Sequence, residues 1–221
     1  YNKTNGAVEV ACINTLGVLY IVENGDTVNS VGDLKGQTIV TTGKGATPEY
    51  VLRYVLSENG IDPDKDVTLE YTSEATEALS KVQAGEANIA MLPQPFVTVA
   101  QSQVEGLRVA LDLSVEWDAL DNGSRLITSV LVARKAFADE HPAALAAFLE
   151  DYAASTDYAN EHPAEAAVLV EKYGIVKAAV AEKALPQCNI VYRVGDEMKA
   201  DVNAYLKVLY DACLLYTSPS P

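Results

Sequence analysis

Histidine is nearly absent. The 221 residues hold two, His141 and His162, and each stands directly before a proline that opens a helical run. Both read as solvated pre-proline residues, so the usual general base and most zinc constellations are missing. Cysteine is scarce: three occur, and Cys213 lies in an anomalous C-terminal stretch. Cys12 and Cys188 remain, with no CxxC and no Cys/His cluster, so no metal is expected. Two buried thiols are the ordinary expectation, and a Cys12–Cys188 disulfide is the open alternative. Cations are outnumbered, 16 Lys and Arg against 31 Asp and Glu, for a formal charge of −15. Nucleic acid, bound through cations at phosphates, is therefore not an expected partner, and neither is an anionic membrane surface. The longest charge-free stretches are Val10–Val22 and Ala87–Val104. The first is too short to span a bilayer, and the second carries Pro93 and Pro95. No GxSxG is present, so the hydrolase elbow is missing.

What is there has an ordinary globular balance, 49% apolar and 21% charged. The length suffices for one large or two small domains. The end is unusual: "CLLYTSPSP", Cys213 to Pro221, shares nothing with the amphipathic pattern before it. It resembles the translated end of a transposon-type sequencing adapter. We expect an artefact, with a disordered tail as the alternative, and set it aside from the fold.

The sharpest local feature is "TTGKGATPEY", residues 41 to 50. A β-branched run, Thr38–Thr42, ends in Gly43-Lys44-Gly45, and Thr47-Pro48-Glu49 reads as N-cap, first helical position and first-turn acid. A strand, a glycine turn and a helix start together can hold an anion. Thr41, Thr42 and Thr47 add hydroxyls. Alternatively, the glycines merely permit a tight turn and Thr47 merely caps. No Gly-Lys-Ser/Thr follows, so this is not a phosphate-binding Walker loop. A dinucleotide fingerprint would need glycine where Pro48 stands, although Glu70 could mimic its ribose-binding acid. Asp62-Pro63-Asp64 and Asp66 lack calcium-loop spacing and read as a solvated turn. Trp117 could stack on a ligand or pack on a core.

The pattern from Thr38 to Leu113 alternates strand and helix. Strands are expected at Thr38–Thr42, Val67–Tyr71, Asn88–Leu92 and Leu107–Leu113. Helices are expected after Thr47, from a Ser73 cap to Ala84, and from Pro95 to Gln103. Such alternation predicts a mostly parallel sheet with covering helices, and ligands of such sheets bind outside the strands' carboxyl ends. The glycine turn and Pro93-Gln94-Pro95 both lie there. Val8–Ile13 and Val18–Val22 read as one interrupted strand, and Leu126–Ala133 as another. From Lys135 onward the chain reads as helical, with two phrases that begin alike, "EHPAALAAFLEDYAA" and "EHPAEAAVLVEKYG".

Three segments together resemble the solute-binding proteins of bacterial ABC importers, in the nitrate/sulfonate/taurine and thiamine-precursor group. They are "VGDLKGQTIVTTGKGATPEYVLRYVLSENGI", "SEATEALSKVQAGEANIAMLPQPFVTVAQSQ" and "LVARKAFADEHPAALAAFLEDYAASTDYANEHPAEAAVLVEKYG". The resemblance runs from about Val8 to Ala212 and rests on the order and spacing of the segments. It departs at Gln94, where the group often has Glu.

The resemblance implies an α/β chain of the type II periplasmic-binding fold: two Rossmann-like lobes joined by two crossing strands, the first lobe incomplete. Residues 1–23 would end the first lobe and make the first crossing. Residues 24–124 would be the second lobe. Residues 125–212 would make the second crossing and the C-terminal helices of the first lobe, and 213–221 the artefactual tail. An N-terminal truncation is expected, with open sheet edges and an exposed core as its consequence. The implied function is an extracytoplasmic receptor, periplasmic or lipid-anchored, with no catalytic residue and no cofactor. Its partners would be a small polar or anionic solute and the permease subunits, and it would be a monomer. Implied ligand contacts are Thr15 at the first crossing, Thr42, Gly45, Ala46 and Thr47 at the helix start, Gln94 and Pro95 at the opposite turn, and Arg125 as a charge clamp. The alternatives are an enzyme resembling thiamine-pyrimidine synthase, whose cysteine cluster is missing here, and a dinucleotide-dependent enzyme.

Overall fold

The computed structural model describes residues 5–212, so the adapter-like stretch Cys213–Pro221 lies outside the described residues. The chain forms two compact units. Among the described residues, one comprises 5–16 with Ile127–Asn203, the other Gly17–Leu126 with 204–212. The expected bounds fell at residues 23 and 124 instead, with all of 125–212 in the first lobe.

The second unit carries the alternating pattern. In chain order it contains β2 (Leu19–Asn24), β3 (Thr38–Thr41), α1 (Thr47–Glu58), β4 (Thr68–Tyr71) and α2 (Ala75–Gln83). There follow β5 (Ile89–Pro93), α3 (Phe96–Gln103), β6 (Leu107–Asp112) and α4 (Leu113–Ala119). The five strands lie in the order β4-β3-β5-β2-β6. β3 runs parallel to β4 and β5, while β2 runs antiparallel to both β5 and β6. β3 to β6 therefore share one direction, as the alternation predicts.

The insertion of β2 differs from expectation, because Val18–Val22 read as the resumed end of an earlier strand. Its composition explains its place. Leu19, Tyr20, Ile21 and Val22 are all buried, and a strand covered on both faces and flanked on both edges reads as a continuous apolar run. The core behind it is Val22, Val40, Ala90 and Leu92 of the strands, packed by Leu79 and Val82 of α2 and Val97 of α3.

β2 ends in the one buried carboxylate of the sheet. Glu23 is 2% exposed. Its Oε1 accepts the Thr27 N–H at 2.8 Å and the Thr27 hydroxyl, and its Oε2 accepts the Val28 N–H at 3.1 Å. Arg108 on β6 donates to Oε2 at 2.6 Å and to the Gly25 carbonyl at 3.1 Å. The turn after β2 is thus tied to the neighbouring strand. Burial alone raises the carboxyl pKa, but the hydrogen bonds from Thr27, Val28 and Arg108 outweigh it and hold the pKa below its ordinary value.

Trp117 on α4 is fully buried. Its ring lies 4.8 Å from that of Tyr54 and 5.5 Å from that of Tyr205, and its indole N–H donates to Ser124 Oγ at 3.1 Å. It belongs to the core and is not available to stack on a ligand.

The first unit contains β1 (Val8–Leu16), β7 (Ile127–Arg134), α5 (Lys135–Glu140), α6 (Pro142–Glu161), α7 (Pro163–Lys172), α8 (Ala178–Ala184) and β8 (Ile190–Arg193). α9 (Gly195–Asp211) begins in this unit and ends in the other. The three strands form an antiparallel sheet in the order β7-β1-β8. β8 corrects the reading of everything after Lys135 as helical: four residues are too few for periodicity to show. Cys12 and Cys188 are both free thiols, so the disulfide alternative is not formed.

The twin "EHP" phrases become twin joints. His141 (φ −131°, ψ 52°) and His162 (φ −127°, ψ 58°) each end one helix and start the next. Each donates its N–H to the carbonyl four residues back, Phe137 or Tyr158, and lays its ring beside that residue's ring at 5.2 and 4.9 Å. The following proline occupies a first-turn position, where its missing N–H costs nothing.

This unit leaves much apolar surface open. α6 has 20 residues, of which Thr156 alone is buried. Val132, Phe137 and Phe148 are exposed and line a groove of about 380 Å³ together with Leu131, Ala144 and Leu145. The outer edge of β7 pairs with no strand among the described residues.

Candidate functional site

Because β3 to β6 run in one direction, their carboxyl ends share one edge of the five-stranded sheet. α1, α2, α3 and α4 all begin there, each within a few residues of the strand before it. An α-helix leaves its first N–H groups without intrahelical partners, and its dipole makes that end positive. This edge therefore gathers four donor-rich, positively polarised helix starts.

Each start is partly satisfied by the chain itself. At α1, the Glu49 carboxylate accepts the Gly45 N–H at 2.6 Å and the Tyr71 hydroxyl at 3.0 Å. At α2, the Glu77 carboxylate accepts the Ser73 N–H at 3.0 Å. At α4, Asp112 accepts the Ser114 N–H at 2.8 Å. At α3, the acceptor is a neutral amide: Gln94 Oε1 takes the Thr98 hydroxyl at 2.9 Å and the Thr98 N–H at 3.3 Å. Three of the four starts thus hold a carboxylate of the chain, and the fourth does not.

The α1 start differs in detail from expectation. Ala46, extended at φ −135° and ψ −179°, is the N-cap, so Thr47 and Pro48 are the first two helical residues. No side-chain cap is made, and the Thr47 hydroxyl does not cap the helix as expected. Proline tolerates either early position, since neither needs its N–H. The turn needs its glycines for different reasons. At Gly43 (φ +75°) a Cβ would come within 2.8 Å of the Pro48 ring, whereas at Gly45 (φ +75°) only the backbone angle excludes a side chain and the space is open. The Gly45 peptide is held on both sides, because the Tyr50 hydroxyl donates to its carbonyl at 3.0 Å. Ser73 is likewise not the cap of α2, which is Glu74.

The predicted residues divide as follows. Thr42, Gly45, Ala46 and Thr47 follow β3, and Gln94 and Pro95 follow its partner β5, so these six share one sheet edge. Gln94 is 7% exposed, its N–H donates to the Val18 carbonyl at 3.0 Å, and its bond to Pro95 is cis. Thr41 is fully buried and its hydroxyl donates to the Thr42 carbonyl, so it is not a ligand group. Thr15 belongs to the first unit, on β1 opposite Ser129 and Ile190. Arg125 is exposed and makes no ion pair among the described residues.

Sequence reasoning missed α4 and with it Asp112 and Glu116. Burial, and then the charge of Asp112, push the Glu116 carboxyl pKa above its ordinary value. It also missed the Tyr71–Glu49 contact. Burial first, and then the bond to Glu49, raise the Tyr71 pKa well above the usual phenol range. The first-turn position of Glu49 was visible; its long-range partner on β4 was not.

With this geometry in hand, the comparisons are decisive for the family: residues 7–166 match the family described as NMT1/THI5 like. The chain belongs to the NMT1/THI5-like family. No curated protein sequence matches it. Among solved structures, it is similar to an ABC transporter protein from Parabacteroides distasonis (24% identity, TM-score 0.76, covering 98% of this chain and 73% of that one). It is also similar to the periplasmic aliphatic sulphonate binding protein SsuA from Escherichia coli (19% identity, TM-score 0.74, covering 97% and 68%). A third likeness is to the desulfurization enzyme DszB (15% identity, TM-score 0.65, covering 95% and 74%). At these identities the likenesses speak for the fold, which is the type II periplasmic-binding fold.

Proposed function

We propose that this family member is the extracytoplasmic solute-binding receptor of an ABC importer. It takes a small polar or anionic solute between two lobes and delivers it to membrane permease subunits, itself acting as a monomer. The observation that carries this reading is the carboxyl edge of the five-stranded sheet, where four helix starts gather amides, hydroxyls and the buried Gln94 amide. These groups bind and orient polar solutes. The two histidines belong to the other unit, on the α5–α6 and α6–α7 joints. Ligand contacts on this reading are Thr42, Ala46, Thr47, Gln94 and Pro95, with Thr15 and Arg125 contributed from outside this edge.

The resident carboxylates refine the solute class. A solute anion at the glycine turn competes with Glu49 for the Gly45 N–H, and it meets the charges of Glu77 and Asp112 at neighbouring starts. The α3 start, capped by a neutral amide, is where negative charge is least opposed. A solute with one negative group and a neutral or cationic remainder suits this edge better than a multiply charged anion. That chemistry agrees with the sulphonate ligand class named for SsuA.

On this reading additional polypeptide of a longer parent protein covers the open groove and the edge of β7 that pairs with no strand among the described residues. The receptor itself is periplasmic or lipid-anchored. A second reading, an enzyme on the same fold, is favoured by one observation, the likeness to DszB.

The test is thermal melting against a panel of small sulfonates, carboxylates, nitrate and thiamine precursors. A solute that binds only the native form must raise the midpoint. A shift with one compound, lost in Thr47→Pro or Gln94→Ala, supports the receptor. No shift across the panel, together with turnover or a shift with a nicotinamide or pyridoxal cofactor, overturns it.

A further inference from the structure

The geometry points to Asn24-Gly25 as a site of spontaneous covalent modification, in which Asn24 becomes aspartate and isoaspartate through a cyclic imide. In this reaction the Gly25 amide nitrogen attacks the Asn24 side-chain carbonyl carbon. Its proton passes to water, the bond to the side-chain NH2 breaks, and ammonia leaves. Water then opens the imide at either of its two carbonyls. One opening gives aspartate and the other isoaspartate, which carries an extra main-chain carbon. Three conditions favour the attack: no Cβ on the following residue, a free following N–H, and an asparagine side chain free to rotate.

Four Asn-Gly pairs lie among the described residues. Asn5-Gly6 stands at their N-terminal limit, and the structure separates the other three. At Asn59-Gly60 the nucleophile is held, because the Gly60 N–H donates to the Ser57 carbonyl at 3.0 Å. The electrophile is held too, through Asn59 Nδ2 on the Val55 carbonyl at 2.8 Å. At Asn122-Gly123 the side chain is pinned. Its Oδ1 accepts the Ser124 N–H and hydroxyl at 3.0 and 2.8 Å, and its Nδ2 donates to the Tyr54 hydroxyl. At Asn24-Gly25 both residues are exposed, and among the described residues neither the Gly25 N–H nor the Asn24 side chain makes a hydrogen bond.

The position matters because of what surrounds it. Asn24 follows the buried Glu23, and the Gly25 carbonyl is held by Arg108 Nε at 3.1 Å. Conversion adds a negative charge beside Glu23 and Asp26. Isoaspartate also lengthens the main chain between β2 and the carbonyl that Arg108 holds. The product therefore loosens the lock between the β2 turn and β6, and the modified protein melts at a lower temperature.

The experiment is storage of the whole chain in warm, mildly alkaline buffer, followed by peptide mapping by mass spectrometry with oxygen-18 water as the label. The Asn24 peptide is expected to convert about tenfold or more faster than those of Asn59 and Asn122 in the native protein. In denaturant the three rates should converge, since the protection is structural. Stored wild type should lose melting temperature while Asn24→Gln, stored alongside, keeps its own. Conversion of Asn59 or Asn122 as fast as Asn24 in the native state would overturn the inference, as would rates in denaturant that keep the native ranking.

Discussion

The Glu49 carboxylate sits 2.6 Å from the Gly45 amide nitrogen, so the glycine turn that invites an anion already holds one of its own. The same acid receives the Tyr71 hydroxyl from β4. Sequence alone suggested an empty cradle, whereas the folded chain has a resident occupant that any solute anion must displace or avoid.

Glu49→Gln tests that occupancy. It removes a carboxylate near a positive helix end, an interaction worth about 0.3–1 kcal/mol, so a slightly lower melting temperature is expected. The same change should raise affinity for a small monoanion by about two- to fivefold, the same energy read as binding. Titration calorimetry on both proteins measures it. Weaker anion binding in the variant would mean that Glu49 organises the turn for the solute instead of competing with it.

Gln94→Glu places a carboxylate at the one helix start that lacks one. Anion affinity should fall while α3 persists, because either side chain can accept from Thr98. Gln94→Ala instead removes the acceptor from two buried donors and should cost about 1–3 kcal/mol of stability. Chemical denaturation separates the two outcomes.

Arg108→Ala leaves Glu23 buried without its cation, which should cost about 3–5 kcal/mol. Acid should act on the same lock. The folded Glu23 pKa lies below its ordinary 4.5, so its contribution is complete above that pH and disappears as pH falls through the folded value. Urea titrations from neutral pH downward should show wild type losing stability below pH 4.5, and Glu23→Gln losing less over that interval.

Tyr205 is 6% exposed, and its hydroxyl has no hydrogen-bond partner among the described residues. An unpaired buried hydroxyl carries a desolvation penalty, so Tyr205→Phe should be neutral or stabilising by up to about 1 kcal/mol. Trp117→Ala, which empties the pocket between Tyr54 and Tyr205, should cost about 3–5 kcal/mol. Thermal melting of both variants checks the contrast.

Much of the second unit was legible because its signals are local. β3 and β5 are short apolar runs closed by glycine or proline, and β4 and β6 each follow a helix and the glycine after it, Gly60 or Gly106. The place of β2 was not legible, since strand order and direction are long-range facts that a buried run cannot encode. α4 was missed because seven residues around a single Trp carry little periodicity, and β8 for the same reason in a strand. The candidate edge followed from the alternation itself. Its chemistry did not: whether Glu49 merely faces the helix dipole or binds Gly45 and Tyr71 depends on a fold that brings β4 beside β3.

The most direct measurement is titration calorimetry of a panel of small sulfonates, carboxylates, nitrate and amines against wild type and Thr47→Pro. This variant removes one amide donor and one hydroxyl from the α1 start and leaves the backbone compatible. Proline suits the first helical position, and Ala46 before it is already extended. The account predicts that one solute of the panel binds wild type, and that Thr47→Pro weakens it by tenfold or more, about 1.4 kcal/mol. Equal affinity in the variant, with its fold intact, would contradict the placement of the site at this sheet edge.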